Sequence, residues 1–215
     1  LEALYSTPAG KNTIVIVLAD HGDGMGSHRM VTKQVSFYEE MTNVPFIIAG
    51  PGIHPRQKPV EDLLTQPTID LLPTLCELAG IPVPSSKPGI SLAPFLKGEK
   101  QKRQHPYAAS EWHSEYEVTV SPGRMIRSPR YKYTHYLEGN GEELYDMLKD
   151  KGERRNLAHD PKYSKILAEH RALLDDYIRR TQDDYRSLKV EADKRWRSHA
   201  PGYPNHEGPC ARDII

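Results

Sequence analysis

Asp20 and His21 stand side by side at the end of an apolar run and lead into Gly22-Asp-Gly24. A carboxylate and an imidazole presented together from a glycine-rich turn can give two ligands to one divalent cation. The same pair also reads as a turn-forming aspartate beside a satisfied histidine. Thirteen positions beyond Asp20, Lys33 lies just ahead of a short helical pattern. Its ammonium suits an anionic group as a point charge, or else it is a solvated loop lysine. His28 lies between them in Gly26-Ser-His-Arg29 and can face either that pocket or solvent. Farther along, Glu111-Trp112-His113 combines a carboxylate, an aromatic plate and an imidazole. Such a mix suits a sugar ring, since indole faces stack on apolar C–H surface. The competing reading is a tryptophan partly buried at a subdomain contact. Arg127, Arg130 and Lys132 can touch an anionic glycan, although alternating charges on an edge strand are generally solvated. His105 and His135 read as structural.

The elements that must position these residues follow from periodicity. Thr13 to Ala19 is a continuous, largely β-branched run, the pattern of a strand buried on both faces in a parallel sheet. Ligands of open α/β sheets bind outside the carboxyl ends of strands, which is where Asp20 and His21 fall. Ser36-Phe-Tyr-Glu39 predicts a capping box opening a short helix, with Phe37, Tyr38 and Met41 turned inward. Val44 to Ala49 is a second strand, closed by Gly50-Pro51-Gly52, and a helix is predicted from about Asp70 to Ala79, with Pro73 in its first turn and Gly80 as its stop.

The stretch from Ile81 to Lys102 is rich in Pro, Gly, Ser and Lys, which sets a subdomain boundary near residue 100. Strand candidates follow at Tyr107–Trp112, Arg124–Arg127, Lys132–Tyr136 and Glu143–Tyr145, separated by turn signals, so a small antiparallel sheet is expected. Ile166, Leu167, His170, Leu173, Leu174, Tyr177 and Ile178 then recur at helical spacing and predict a helix covering that sheet. The domains expected are therefore 1–100, 101–182 and a charged helix or irregular tail at 183–215.

Composition narrows the classes. Acidic and basic residues balance at 29 each, so no net field points to nucleic acid or an anionic membrane. No apolar stretch approaches the ~20 residues that span a bilayer. The two cysteines, Cys76 and Cys210, form neither a metal spacing nor a disulfide framework, and Cys76 is expected as a buried thiol. The chain opens at Leu1 in a helix-like stretch that runs straight into a strand pattern, as in a chain entered partway through a fold.

Taken together, these residues carry a resemblance. Ala19-Asp-His-Gly-Asp-Gly-Met-Gly-Ser-His-Arg-Met-Val-Thr-Lys33 closely resembles the second signature of the sulfatases, in the alkaline-phosphatase superfamily. The match continues through Val44-Pro-Phe-Ile-Ile, Thr68 to Ile81 and Gly89 to Gly98. It resumes in Ile126-Arg-Ser-Pro-Arg-Tyr-Lys-Tyr133 and from Glu143-Leu-Tyr-Asp146 to Asn156-Leu157. The resemblance implies the C-terminal part of an α/β, alkaline-phosphatase-like parallel-sheet core, followed by a small antiparallel sheet-and-helix subdomain. It assigns Asp20 and His21 to a divalent cation, usually Ca²⁺, and Lys33 to the sulfate or the leaving oxygen; His28 is expected as a second-rank substrate contact. Hard Ca²⁺ accounts for Asp20 better than for His21, so Mn²⁺ or Zn²⁺ stays open.

The nucleophile that the resemblance implies is a formylglycine made in a Cys/Ser-x-Pro/Ala-x-Arg motif, and these 215 residues contain none. It would come from an N-terminal part of the same sulfatase. The expected activity is hydrolysis of a sulfated small molecule or glycan, a carbohydrate sulfate ester above all, with Trp112 and His113 as candidate substrate contacts. This chain alone is expected to be inactive. The alternatives are a phosphonate monoester or phosphodiester hydrolase of the same superfamily, or a non-catalytic glycan-binding remnant. By the same resemblance the protein would be secreted, periplasmic or lysosomal.

Overall fold

In the computed structural model, the residues described are 1–30, 36–56, 58–60, 63–86, 88–101, 104–112, 122–137 and 141–187. The chain divides into two units, the first of residues 1–22 with 43–108, the second of residues 23–42 with 109 onward. The boundary expected near residue 100 therefore falls at 108. Residues 23–42, expected in the first unit, pack with the second. Helices and strands mix in both units, in keeping with the α/β class.

In the first unit, α1 (Glu2–Tyr5) and a 3₁₀ turn (Pro8–Asn12) lead into β1 (Val15–Leu18), which pairs with β2 (Phe46–Ala49). The pairing is antiparallel, with Val15 opposite Ala49 and Leu18 opposite Phe46. Within this chain the neighbour of β1 is thus antiparallel, where the apolar run predicts a parallel one. Val17 and Leu18 are 49% and 42% exposed, and Ile47 on β2 is 56% exposed. The physical reason is that β-branched residues fit any pleated strand, whatever the direction of its neighbour. Continuous apolar runs report burial on both faces only where both faces are covered, and among the described residues β1 pairs with β2 alone.

The long helix α3 spans Pro67–Ala79, three residues longer at its start than the sequence predicts. Asp70 decides that start. Its Oδ2 accepts the backbone N–H of the N-cap residue Gln66 at 2.8 Å, a reach back like that of a capping box but from one position later. Its Oδ1 accepts the N–H of Ile90 at 2.8 Å and lies 2.8 Å from His105 Nε2. Asp70 is fully buried, so one carboxylate ties the helix start to two later segments. The earlier start leaves Pro73 inside the helix rather than in its first turn. The missing proline N–H removes the helical donor to Ile69 C=O, and the Gly89 backbone lies against that carbonyl. A Cβ at Gly89 would stand 2.1 Å from the Ile69 oxygen, and Gly89 sits at φ 111°, so only glycine fits. At the other end Gly80 adopts φ 70°, and Ile81 N–H returns to Cys76 C=O at 2.9 Å. Cys76 is the buried free thiol expected; Cys210 lies outside the described residues. A short α4 (Ala93–Leu96) packs near α3.

The second unit is a sheet in the order β3-β4-β5-β6, formed by Ala108–Trp112, Gly123–Arg127, Tyr131–Tyr136 and Glu142–Asp146. The last three strands pair antiparallel, with Ile126 opposite Tyr133 and Tyr133 opposite Leu144. These are the strands that the turn signals predict. The helix α5 (Ser164–Thr181) packs on β4 and β5 through Leu167, His170 and Leu174, three of the expected apolar-face positions. Ile126, Tyr133, Leu144 and Tyr145 form the fully buried centre.

Residues 23–42 join this unit through their aromatic and methionine side chains. Phe37 packs with Met125 and Tyr136, while Met30, Tyr38 and Met41 cluster with Tyr145 and Met147. The helix α2 spans Glu39–Thr42 and starts later than the capping box predicts. Ser36 Oγ is buried without a partner among the described residues. The Glu39 N–H donates instead to Glu153 Oε2 at 2.6 Å. A tertiary carboxylate has displaced the local cap.

Beyond α5, Asp183 and a 3₁₀ turn at Tyr185–Ser187 are fastened to the sheet by Arg124. Its guanidinium meets both Asp183 oxygens at 2.6 and 2.9 Å and stacks on the Tyr185 ring at 4.4 Å. The rest of the expected tail, from 188 on, lies outside the described residues. No helix among them is long and apolar enough to cross a membrane.

Candidate functional site

Asp20 and His21 follow the carboxyl end of β1, in the first unit. The His21 N–H donates to Asp20 Oδ1 at 2.9 Å, which turns the carboxylate back over the following residue. His21 Nδ1 lies 2.7 Å from the Gly22 carbonyl oxygen. A carbonyl only accepts, so in the neutral ring Nδ1 carries the proton and Nε2 the lone pair. That Nε2 stands 3.8 Å from Asp20 Oδ2. With metal–ligand bonds of roughly 2.0–2.5 Å, one cation can touch both atoms at an ordinary ligand–metal–ligand angle. The bond to Gly22 favours the tautomer that such ligation would need. The two residues therefore fit a divalent ion as a partial ligand set. Among the described residues no group of three or more His, Cys, Asp or Glu is gathered for a metal.

His28 belongs to the second unit, in a turn of unusual backbone. Met25, His28 and Arg29 stand at φ 47°, 49° and 61°, with Gly26 at 96°. For non-glycine residues this left-handed region costs roughly 1–2 kcal/mol each, and such strain persists only where surroundings over-determine it. Two contacts do so. Gly24 and Met30 close the turn so tightly that a Cβ at Gly24 would lie 2.4 Å from the Met30 Cβ. The His28 ring stacks on Tyr38 with centroids 3.7 Å apart and planes 1° from parallel. Its Nε2 lies 3.9 Å from Glu40 Oε2. Burial pushes the imidazole below its ordinary value, against the pull of Glu40, so the neutral ring is favoured. Lys33 and His113 lie outside the described residues.

Trp112 ends β3 and is half-buried against Phe37, Met125 and Tyr136. Its carbonyl accepts from Arg124 at 2.8 Å, and Glu111 beside it accepts from the Tyr177 hydroxyl at 2.6 Å. The tryptophan ring is thus partly committed to packing.

The sequence reading missed a buried charge cluster on β5. By sequence alone Lys132 falls in with Arg127 and Arg130 as charges alternating along an edge. However, β5 lies between β4 and β6, and Lys132 is 1% exposed. Its Nζ lies 2.9 Å from Glu39 Oε1 and 2.9 Å from Glu153 Oε1. Arg127 faces Glu39 at 3.9 Å and Arg130 meets Asp146 at 2.7 Å. Each cation already has a carboxylate. The available signal was Glu39, six positions beyond Lys33, and its partner Glu153, 114 positions from it; no local pattern links them. His105 and His135 have partners inside their own units: the first bonds Asp70, and the second places Nδ1 2.7 Å from the Tyr185 hydroxyl.

An α/β unit with a carboxylate and an imidazole beyond a strand's carboxyl end, followed by a small sheet-and-helix unit, is the arrangement that the resemblance to the sulfatases implies. Comparison with known proteins agrees. The profile of the family "N-sulphoglucosamine sulphohydrolase, C-terminal" matches residues 26–180. The chain belongs to the sulfatase family, as a C-terminal portion. It is 77% identical to a Delta 4,5-hexuronate-2-O-sulfatase of Bacteroides thetaiotaomicron, over 215 residues that make up 100% of this chain and 45% of that relative. The solved structure of a 2-O GAG sulfatase superposes with a TM-score of 0.88 at 77% identity, covering 100% of this chain and 46% of that one. A phosphonate monoester hydrolase of Agrobacterium radiobacter superposes with a TM-score of 0.68 at 26% identity, over 81% of this chain and 36% of that one. The chain thus spans less than half of each. Family membership implies a divalent cation.

Proposed function

We propose that the chain is the C-terminal part of a sulfatase that hydrolyses a carbohydrate 2-O-sulfate ester, the substrate being a 4,5-unsaturated hexuronate. The observation that carries this reading is the 77% identity, held over all 215 residues, to the Delta 4,5-hexuronate-2-O-sulfatase. Sulfate ester cleavage needs charge on the nonbridging oxygens neutralised while an alkoxide leaves. Asp20 and His21 would hold a divalent cation, Ca²⁺ in this reading, with Mn²⁺ or Zn²⁺ as the imidazole-tolerant alternatives. When bound, such an ion supplies Lewis-acid stabilisation of sulfate oxygens. Lys33 would orient the sulfate and assist the leaving oxygen. His28, held neutral and stacked, would donate or accept a hydrogen bond to substrate, and Trp112 with His113 would meet the sugar. A formylglycine from the N-terminal part would attack sulfur.

The second reading, a phosphonate monoester hydrolase, is favoured by the likeness to the Agrobacterium enzyme and by the imidazole at His21. One comparison separates them. The full-length protein is expected to release sulfate from a 4,5-unsaturated hexuronate 2-O-sulfate and to leave aryl phosphonates almost untouched; the reverse preference would establish the second reading. Calorimetric metal binding should be lost in Asp20→Asn with His21→Ala. No binding by the wild type would favour a non-catalytic remnant. The 215-residue chain alone is expected to show no turnover.

A further inference from the structure

Lys132 is in an unexpected place for a lysine. Its ammonium is withdrawn from water on an interior strand, and apolar side chains of similar volume generally serve a core at least as well as a buried ion pair. Its partners converge on one point of the chain. Nζ lies 2.9 Å from Glu39 Oε1 and 2.9 Å from Glu153 Oε1. The other Glu153 oxygen accepts the Glu39 N–H at 2.6 Å. Glu39 is therefore held by its side chain and its main chain together. Glu153 occupies a left-handed backbone at φ 49°, a strained conformation of the kind kept where surroundings enforce it.

The residues flanking Glu39 are the ones that hold His28. Tyr38 supplies the ring on which the imidazole stacks at 3.7 Å. Glu40 supplies the carboxylate 3.9 Å from its Nε2. A stacked ring can slide in its own plane at little cost, so stacking alone does not set an orientation. Anchoring the residue between the two contacts does.

We infer that Lys132, Glu39 and Glu153 form a positioning cluster that sets the orientation of the His28 ring toward substrate. This rests on the reading of His28 as a substrate contact. The three residues act through Tyr38 and Glu40 and touch no substrate themselves.

The test uses the full-length protein carrying Lys132→Met together with Glu153→Gln. The pair removes one cation and one anion at once, nearly conserves volume and keeps a carbonyl oxygen for the Glu39 N–H. In the wild type, the Tyr38 ring face is expected to shift the His28 Hδ2 and Hε1 resonances upfield. In the double variant they are expected to move toward free-histidine values, and kcat/KM on the unsaturated hexuronate 2-O-sulfate to fall at least tenfold. Unmoved resonances overturn the inference whatever the activity. Resonances that move with turnover unchanged confine the cluster to the fold and also overturn it. If the wild type releases no sulfate, the functional reading fails, while the resonances still decide whether the cluster orients His28. Should the double variant not fold, Glu39→Gln, a partly exposed position, is judged by the same two readings.

Discussion

Glu143 lies on β6 opposite Thr134 and is 4% exposed. Its Oε1 is buried without a hydrogen-bond partner among the described residues. Burial, reinforced by the nearby Glu153 and only partly offset by Lys132, pushes its carboxyl up to about 8 from an ordinary 4.5. Tyr38 and Tyr145 border it, and its charge would raise both phenols further. The folded protein therefore keeps a proton here that the unfolded chain releases above 4.5. Between 4.5 and about 8 the native state binds the extra proton, so stability falls as pH rises, by about 1.4 kcal/mol per pH unit for one such group. Raising the pH from 5.5 to 7.5 should then cost roughly 2–3 kcal/mol through this residue alone.

Glu143→Gln removes the titration at nearly constant volume. The assay is urea unfolding of wild type and variant at half-unit pH steps, followed by far-UV circular dichroism. His28, His135 and His170 are all pushed below their ordinary value by burial. Their stabilisation is present above 6.5 and is lost as pH falls. They occur in both proteins and cancel in the difference. The variant is expected to gain on the wild type steadily from pH 5.5 to 7.5. Parallel stability curves would refute the reasoning, because they would mean that Glu143 is ionised in the fold.

Two further outcomes test the scaffold. Asp70→Ala strips three donors of their acceptor in a buried setting and should lower stability by ~3–5 kcal/mol in urea unfolding; a loss below 1 kcal/mol would show that the α3 start is held otherwise. Arg124→Met breaks the two bonds to Asp183 and the stack on Tyr185. Limited trypsin digestion should then cut at Arg186 markedly faster than in the wild type, with cleavage inside β4 and β5 unchanged. Equal rates would mean that the segment after α5 is fastened by something other than Arg124.

Much of the second unit was legible. Alternation and turn signals located β3 to β6 within a residue or two, and the helical spacing of Leu167, His170 and Leu174 located the buried face of α5. Local chemistry was less reliable where a distant group competed. Ser36 and Glu39 match a capping box, but Glu153 takes the N–H that Ser36 would have capped. Pro73 suits a first turn, but Asp70 reaching back to Gln66 starts α3 earlier. The apolar run of β1 suggested a parallel sheet, although its partner in this chain runs antiparallel.

By itself the sequence determined the family, the α/β class and the local unit Asp20-His21-Gly22, whose backbone-to-side-chain hydrogen bonds run between adjacent residues. Tertiary structure alone decided which unit residues 23–42 join, that Lys132 is buried, and that His28 lies on Tyr38 beside Glu40. The physical reason is range. A turn hydrogen bond or a hydrophobic period is written in adjacent residues, whereas a buried ion is specified by partners separated by as many as 114 positions, which only folding brings together.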